Sequence, residues 1–167
     1  MEQLSLTYCK GVLFWSGGNT RAACGRGGIR ADKHEGDGGS PLGTFPLVRG
    51  FYRPDRLAPP ESGLEMTALE PDDIWVDDSN DPGYNQLAKL PCTVSHEAMW
   101  REDSLYDLVV VIGYNTDPVV SGAGSAIFLH VAREDFNLTA GCIAIERREL
   151  AELVTRLGSG STITIRD

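Results

Sequence analysis

No stretch of the chain approaches the ~20 consecutive apolar residues that a membrane-spanning helix needs. Basic residues are scarce. Fifteen Lys and Arg stand against 24 Asp and Glu, for a net charge of −9. That argues against a nucleic-acid partner, whose footprint would be basic. Cysteines number only four (Cys9, Cys24, Cys92, Cys142) and show no CxxC or other zinc-type spacing, so no metal site is expected. A Cys9–Cys24 disulfide would require those segments to form a hairpin. The opening "MEQLSLTYCKGVLFWSGG" has no basic n-region and interleaves apolar with polar residues, so no signal peptide is read there. Repeats, linkers and composition breaks are also missing. The 167 residues, 41% of them hydrophobic, read as one domain over 1–167 with room for a sizeable core.

What the chain does have is turn formers: 19 glycines and nine prolines. Between them lie short β-prone runs. "LSLTYC", "VLFW" and "TRAAC" read as strands at the start. "GRGGIRADKHEGDGGSPLGTFPL" reads as a long loop, with seven glycines in 23 residues, and it lacks a P-loop pattern. Residues 52–105 read as irregular, with "SHEAMW" as one helical turn. "DLVVVIGYN" is a continuous apolar run expected of a buried central strand, and "AIFLHVA" is the next strand. In "RRELAELVTRLG" the residues Leu150, Leu153, Val154 and Leu157 fall at helical spacing, with Gly158 as the expected C′ cap. "STITIRD" alternates and closes the chain as a strand. The expected architecture is mainly β, a sandwich or partly closed barrel, with one substantial helix near the C-terminus.

Chemistry concentrates in "FLHVAREDFNLTAGCIAIE". His130 ends a strand-like run, and Cys142 follows the small-residue turn Thr139-Ala140-Gly141. A thiol attacks as thiolate, and a neighbouring imidazole can accept its proton and later return it to a leaving amine. Gly141 permits close backbone approach, and the Cys142 N–H can face a tetrahedral oxyanion. A helix begins a few residues later, and its N-terminus would stabilise a thiolate if the turn pointed that way. Set against this, free cysteine is among the most buried residue types, and Ile143 and Ile145 beside it are core-like. Spacing alone leaves both readings open.

The segment resembles the histidine-to-cysteine signature of the L,D-transpeptidases, the YkuD-type catalytic domains of bacterial cell-wall enzymes. The likeness extends to "GRGGIRADKHEGDGGSPLGTFPL", "DPGYNQL", "SHEAMW", "YDLVVVIGYN" and "GSAIFLHVAR", and so spans about residues 21 to 155. It implies a β-sandwich-like barrel and a thioester mechanism without metal or organic cofactor. Cys142 would be the nucleophile and His130 the base, its ring oriented by the Val131 carbonyl. Gly141 and the Cys142 N–H would serve the oxyanion. The partners would be peptidoglycan stem peptides, as donor and acceptor, in the periplasm or cell envelope. Two departures stand out. The family's His-Gly is here His130-Val131, and its polar or basic residue two after the cysteine is here Ala144. Crosslinks other than 3→3 therefore remain open, including one to the first stem residue.

With Ala144 apolar, other cations must meet the substrate carboxylates. Arg26, Arg30, Lys33 and Arg133 are the candidates, although Arg26 and Lys33 also suit a solvated pair balancing Glu35 and Asp37. Tyr84-Asn85 and Tyr114-Asn115 suit either a peptide groove or turn chemistry. His34 reads as exposed, His96 as a structural hydrogen-bonder, Trp75 and Trp100 as core, and "DDSNDPG" as a solvated acidic turn rather than a calcium loop. The leading reading is a cysteine L,D-transpeptidase. Its alternatives are an L,D-carboxypeptidase or amidase that lets water resolve the thioester, and a non-catalytic wall-binding β-domain with an inert Cys142.

Overall fold

Short apolar runs punctuated by glycine turns fold as fourteen strands and one helix in the computed structural model, which describes residues 3–167. The strands are β1 (Ser5–Cys9), β2 (Val12–Trp15), β3 (Gly18–Ala23), β4 (Ile29–Arg30), β5 (Ser40–Pro41), β6 (Gly43–Tyr52) and β7 (Met66–Ala68). They continue with β8 (Asp73–Val76), β9 (Leu87–Lys89), β10 (His96–Ala98), β11 (Leu108–Ile112), β12 (Phe128–Val131), β13 (Ile143–Ile145) and β14 (Thr162–Arg166). Helix α1 spans Arg147–Val154, between β13 and β14. No helix among the described residues is long and apolar enough to cross a membrane.

The main sheet runs β11-β12-β13-β3-β2-β1-β14-β6-β7, and β6 also pairs with β11, so the order closes into a partly closed barrel. Closure depends on the ten-residue β6. Its first half pairs with β14 and its second half with β11, across a register shift between Val110 and Ile112. Sequence reading had placed the first part of β6 in the glycine-rich loop, because Gly43 and Pro46 are poor strand formers. The barrel interior holds Leu6, Leu13, Leu129, Ile143, Ile163 and Ile165, covered by Leu150, Leu153 and Val154 of α1.

A second cluster lies on the other face of β11 and β12. Phe51, Trp75, Met99, Tyr106, Val109, Phe128 and Cys142 pack there. It is roofed by a three-stranded sheet, β10-β8-β9, inside the stretch expected to be irregular. "SHEAMW" is thus a strand rather than a helical turn, with His96, Glu97 and Ala98 paired to Val76, Trp75 and Ile74. These strands are three or four residues long and separated by Pro/Asp turns, too short to display a period. With a core on each side, β11 is buried along its whole length, which explains its unbroken apolar run.

The helix is shorter than its apolar spacing suggests. It ends at Val154 with Thr155 as C-cap in right-handed helical geometry. Gly158 is not the cap. It forms a bridge with Gly63, and its N–H donates to Ser161 Oγ at 3.0 Å. All four cysteines are free thiols, Cys9 and Cys24 included.

Candidate active site

Strand alternation brings the cysteine and the histidine together. Strands β12 and β13 are parallel, with Leu129 opposite Ile143, His130 opposite Ala144 and Val131 opposite Ile145. Leu129, Val131, Ile143 and Ile145 point into the barrel core. Successive side chains point to opposite faces of a strand, so His130 and Ala144 share the other face with Cys142. Adjacent strands lie ~4.8 Å apart, so His130 sits beside Ala144, one pleat along from the thiol. Ile143 and Ile145 point into the barrel, and Cys142 is buried on the opposite face, within the second apolar cluster as the core reading expected.

The turn before Cys142 is held rigidly. Ser40 Oγ–H donates to the Gly141 carbonyl at 2.7 Å, Thr139 Oγ–H donates to the Cys142 carbonyl at 2.7 Å, and the Gly141 N–H donates to Thr139 Oγ at 3.1 Å. Gly141 has φ +144°, and a Cβ there would sit 2.8 Å from the Gly39 carbonyl oxygen. Only glycine fits. The Gly141 amide is engaged within the turn, which leaves the Cys142 amide as the better placed oxyanion donor of the two.

His130 is buried, with Nδ1 2.8 Å from the Val131 carbonyl oxygen. A carbonyl only accepts, so Nδ1 carries the hydrogen and Nε2 keeps its lone pair as the base. This is the ring orientation the resemblance implied. Burial holds the imidazole pKa down at about 4, with the Val131 carbonyl opposing and Arg101 assisting. The Cys142 thiol donates to the Ala126 carbonyl at 3.2 Å and accepts from the Phe128 N–H at 3.3 Å. Burial, reinforced by the charge of Glu97, pushes its pKa up to about 12. The free protein therefore holds a neutral thiol and a neutral imidazole, not a preformed ion pair. The helix N-terminus does not help the thiolate, because β13 intervenes and Glu146 caps α1 with its own carboxylate.

Both groups line a cavity of about 350 Å³. Its walls are strongly bipolar. Arg26, Lys33, Arg101 and Arg133 contribute cations, and Glu35, Asp77 and Glu97 contribute carboxylates. Lys33 is buried against Asp37 at 2.9 Å. Burial would raise that carboxyl, but the His34 and Gly39 amides and the Lys33 ammonium outweigh it and hold Asp37 at about 2. Arg101 is engaged by Asp103 through two hydrogen bonds, at 2.8 and 2.7 Å. Among the described residues, Arg26 and Arg133 form no ion pair and stand exposed at the rim. Arg30 is turned to Asp32 and Asp37 and does not line the cavity.

The Tyr-Asn pairs organise loops rather than the groove. Buried Asn85 accepts from Trp75 Nε1 at 2.8 Å and the Ala126 N–H at 3.0 Å, and donates to the Asn115 carbonyl at 2.7 Å. Asn115 closes its own loop through Val120 and Gly124, and Tyr114 donates to the Ala123 carbonyl at 2.6 Å. Tyr84 stands behind the wall, donating to Glu35 at 2.7 Å and accepting from the Gly124 N–H at 3.0 Å. His34 is exposed, and Nδ1 of His96 lies 2.7 Å from the Val94 carbonyl. Trp75 is buried, while Trp100 is half-buried beneath the Arg53 guanidinium. Sequence reading missed Glu97, Arg101 and Tyr106 as wall residues. No local pattern marked Glu97, because β10 is only three residues long.

The chain resembles the crystal structure of L,D-transpeptidase 1 from Mycobacterium tuberculosis at 14% identity and a TM-score of 0.47, over 99% of this chain and 60% of that one. An L,D-transpeptidase from Mycobacterium smegmatis matches at 13% identity and a TM-score of 0.45, over 99% and 59%. The chain thus spans about three fifths of the length of these proteins. No curated protein sequence matches it. The family model for the YkuD L,D-transpeptidase catalytic domain matches residues 2–165, and the chain belongs to that family.

Proposed function

We propose that the protein is a cysteine-dependent L,D-transpeptidase acting on peptidoglycan stem peptides in the cell envelope. The carrying observation is the shared face of β12 and β13, which sets Cys142 and His130 in one cavity with unpaired guanidinium groups at its rim. Arg26 and Arg133 meet the carboxylates of the donor stem, as bidentate guanidinium forks do. With the donor seated, Cys142 sulfur attacks the peptide carbonyl on the L-centre of diaminopimelate, and His130 Nε2 takes the thiol proton as the C–S bond forms. The Cys142 N–H receives the oxyanion. Collapse breaks the C–N bond, and His130 returns its proton to the departing D-alanine amine, leaving a thioester. The amine of a second stem then displaces the sulfur and forms the crosslink.

Ala144 lies directly opposite His130 and supplies no polar group to the donor. This supports a donor pose set by the rim arginines. The test is to incubate purified disaccharide-tetrapeptide with wild type and with Cys142→Ala, and to read the products by mass spectrometry. A Cys142-dependent dimer lacking one terminal residue is the expected product, and its fragmentation names the linkage. Tripeptide monomer alone would assign hydrolysis instead, and no product from either protein would mean either that this stem is not the donor or that Cys142 is structural.

A further inference from the structure

Counting protons in the second half of this reaction exposes a need that His130 does not meet. A stem amine reaches the thioester as an ammonium with three hydrogens, and the amide product keeps one. Of the two released, one passes through His130 to the Cys142 sulfur as the C–S bond breaks. The other must leave before the amine attacks, and at neutral pH a second base at the same cavity would speed that loss. Water and uncharged amines have no such surplus, because they arrive with one hydrogen fewer to lose.

Glu97 is placed for this work. It projects from β10, opposite Trp75 in the roof sheet, and lines the cavity with Cys142 and His130. One carboxylate oxygen accepts from the Tyr106 hydroxyl, and the other has no partner among the described residues. Tyr106 in turn stands edge-on to the His130 ring, with centroids 5.3 Å apart, and carries the Arg101 guanidinium 5.1 Å from its own ring centroid. The groups facing Glu97 are Tyr106, Arg101, Asp77 and Glu35, with Cys142 and Lys33 beyond. Burial raises the Glu97 carboxyl, which makes it a stronger base than an exposed glutamate.

We infer that Glu97 receives the acceptor ammonium and takes its first proton, so that a neutral amine attacks the Cys142 thioester. The inference rests on the transpeptidase reading above. The cavity then divides the labour, with the rim arginines holding the anionic donor and the Glu97 wall receiving the cationic acceptor. The proton leaves Glu97 for solvent after the amide forms. Overall, thioester plus ammonium gives amide, thiol and one released proton.

The test compares two nucleophiles in one tube. Disaccharide-tetrapeptide supplies donor and ammonium acceptor, and hydroxylamine, largely uncharged at neutral pH, competes to give a hydroxamate. Wild type and Glu97→Gln are assayed at pH 7 and the dimer-to-hydroxamate ratio is read by mass spectrometry. The ratio is expected to fall at least ~tenfold in Glu97→Gln, and to recover as pH rises and the acceptor deprotonates by itself. A merely structural role would lower both products together, and an unchanged ratio in the folded variant overturns the inference. If Glu97→Gln does not fold, Glu97→Asp, which withdraws the carboxylate by one methylene, must show the same direction of change, and an unchanged ratio there overturns it equally. If wild type makes neither product, the acyl-transfer reading itself fails and this inference falls with it.

Discussion

In the proposed reaction Cys142 is a nucleophile, and the free protein holds it in its unreactive form. Its sulfur lies between the Ala126 carbonyl and the Phe128 amide, away from water, with a carboxylate nearby. Burial and the Glu97 charge favour the thiol and outweigh the Phe128 amide, which favours the thiolate. The proposed reaction therefore requires donor binding to bring the sulfur toward His130. Iodoacetamide is expected to modify Cys142 at pH 7 at least ~100-fold more slowly than a free cysteine peptide, with a rate still rising above pH 9. A rate plateau near neutral pH would contradict this. Gly141 is the second residue-scale constraint. Gly141→Ala places a Cβ against the Gly39 carbonyl at a φ that disfavours side chains. It is expected to cost about 1–3 kcal/mol in a denaturant titration, and to abolish acyl transfer by displacing Cys142.

At the scale of elements, the site depends on loops that the strands alone do not hold. Asn85 ties its own loop to Trp75 of β8 and to both ends of the β11–β12 connection, at Asn115 and Ala126. Asn85→Ala leaves the buried Trp75 and Ala126 N–H groups unpaired, at about 1–3 kcal/mol each. It also releases the residue whose carbonyl holds the Cys142 thiol. A drop in Tm with loss of activity is expected, and an unchanged Tm would refute the tie.

Much of this was legible in the sequence because some elements announce themselves. The β-branched run of β11, the alternation of β14 and the apolar spacing of α1 are local patterns. The Cys142–His130 pair was legible through its motif, and β12 and β13 then supplied the shared face. The roof sheet was not legible, since strands of three or four residues carry no period. Glu97 was hidden for the same reason. Tyr84, Asn85, Tyr114 and Asn115 looked equally suited to groove and turn. Their partners are distant in sequence, and only the folded chain reveals that they are satisfied internally.

For the molecule as a whole, the buried site ties stability to pH. His130 is neutral in the fold at about 4, below its ordinary value of 6.5. Below 6.5 the unfolded chain binds a proton that the folded chain refuses, so stability is full above that pH and is lost as pH falls toward 4. Asp37, held at about 2, extends the loss to lower pH. The histidine alone accounts for on the order of 3 kcal/mol. Denaturant titrations of wild type and His130→Phe between pH 7 and 4 test it. Wild type is expected to lose stability across that window, and the variant to lose less. Equal slopes would place the acid sensitivity elsewhere.

The most direct test of the central claim is intact-protein mass spectrometry after brief exposure to disaccharide-tetrapeptide, with the modified residue located by digestion. A wild-type adduct on Cys142 equal to the donor minus its terminal residue, missing in Cys142→Ala and slowed in His130→Ala, is the predicted result. Terminal-residue release that continues in Cys142→Ala, or an adduct on any other residue, would contradict the assignment of Cys142 as nucleophile.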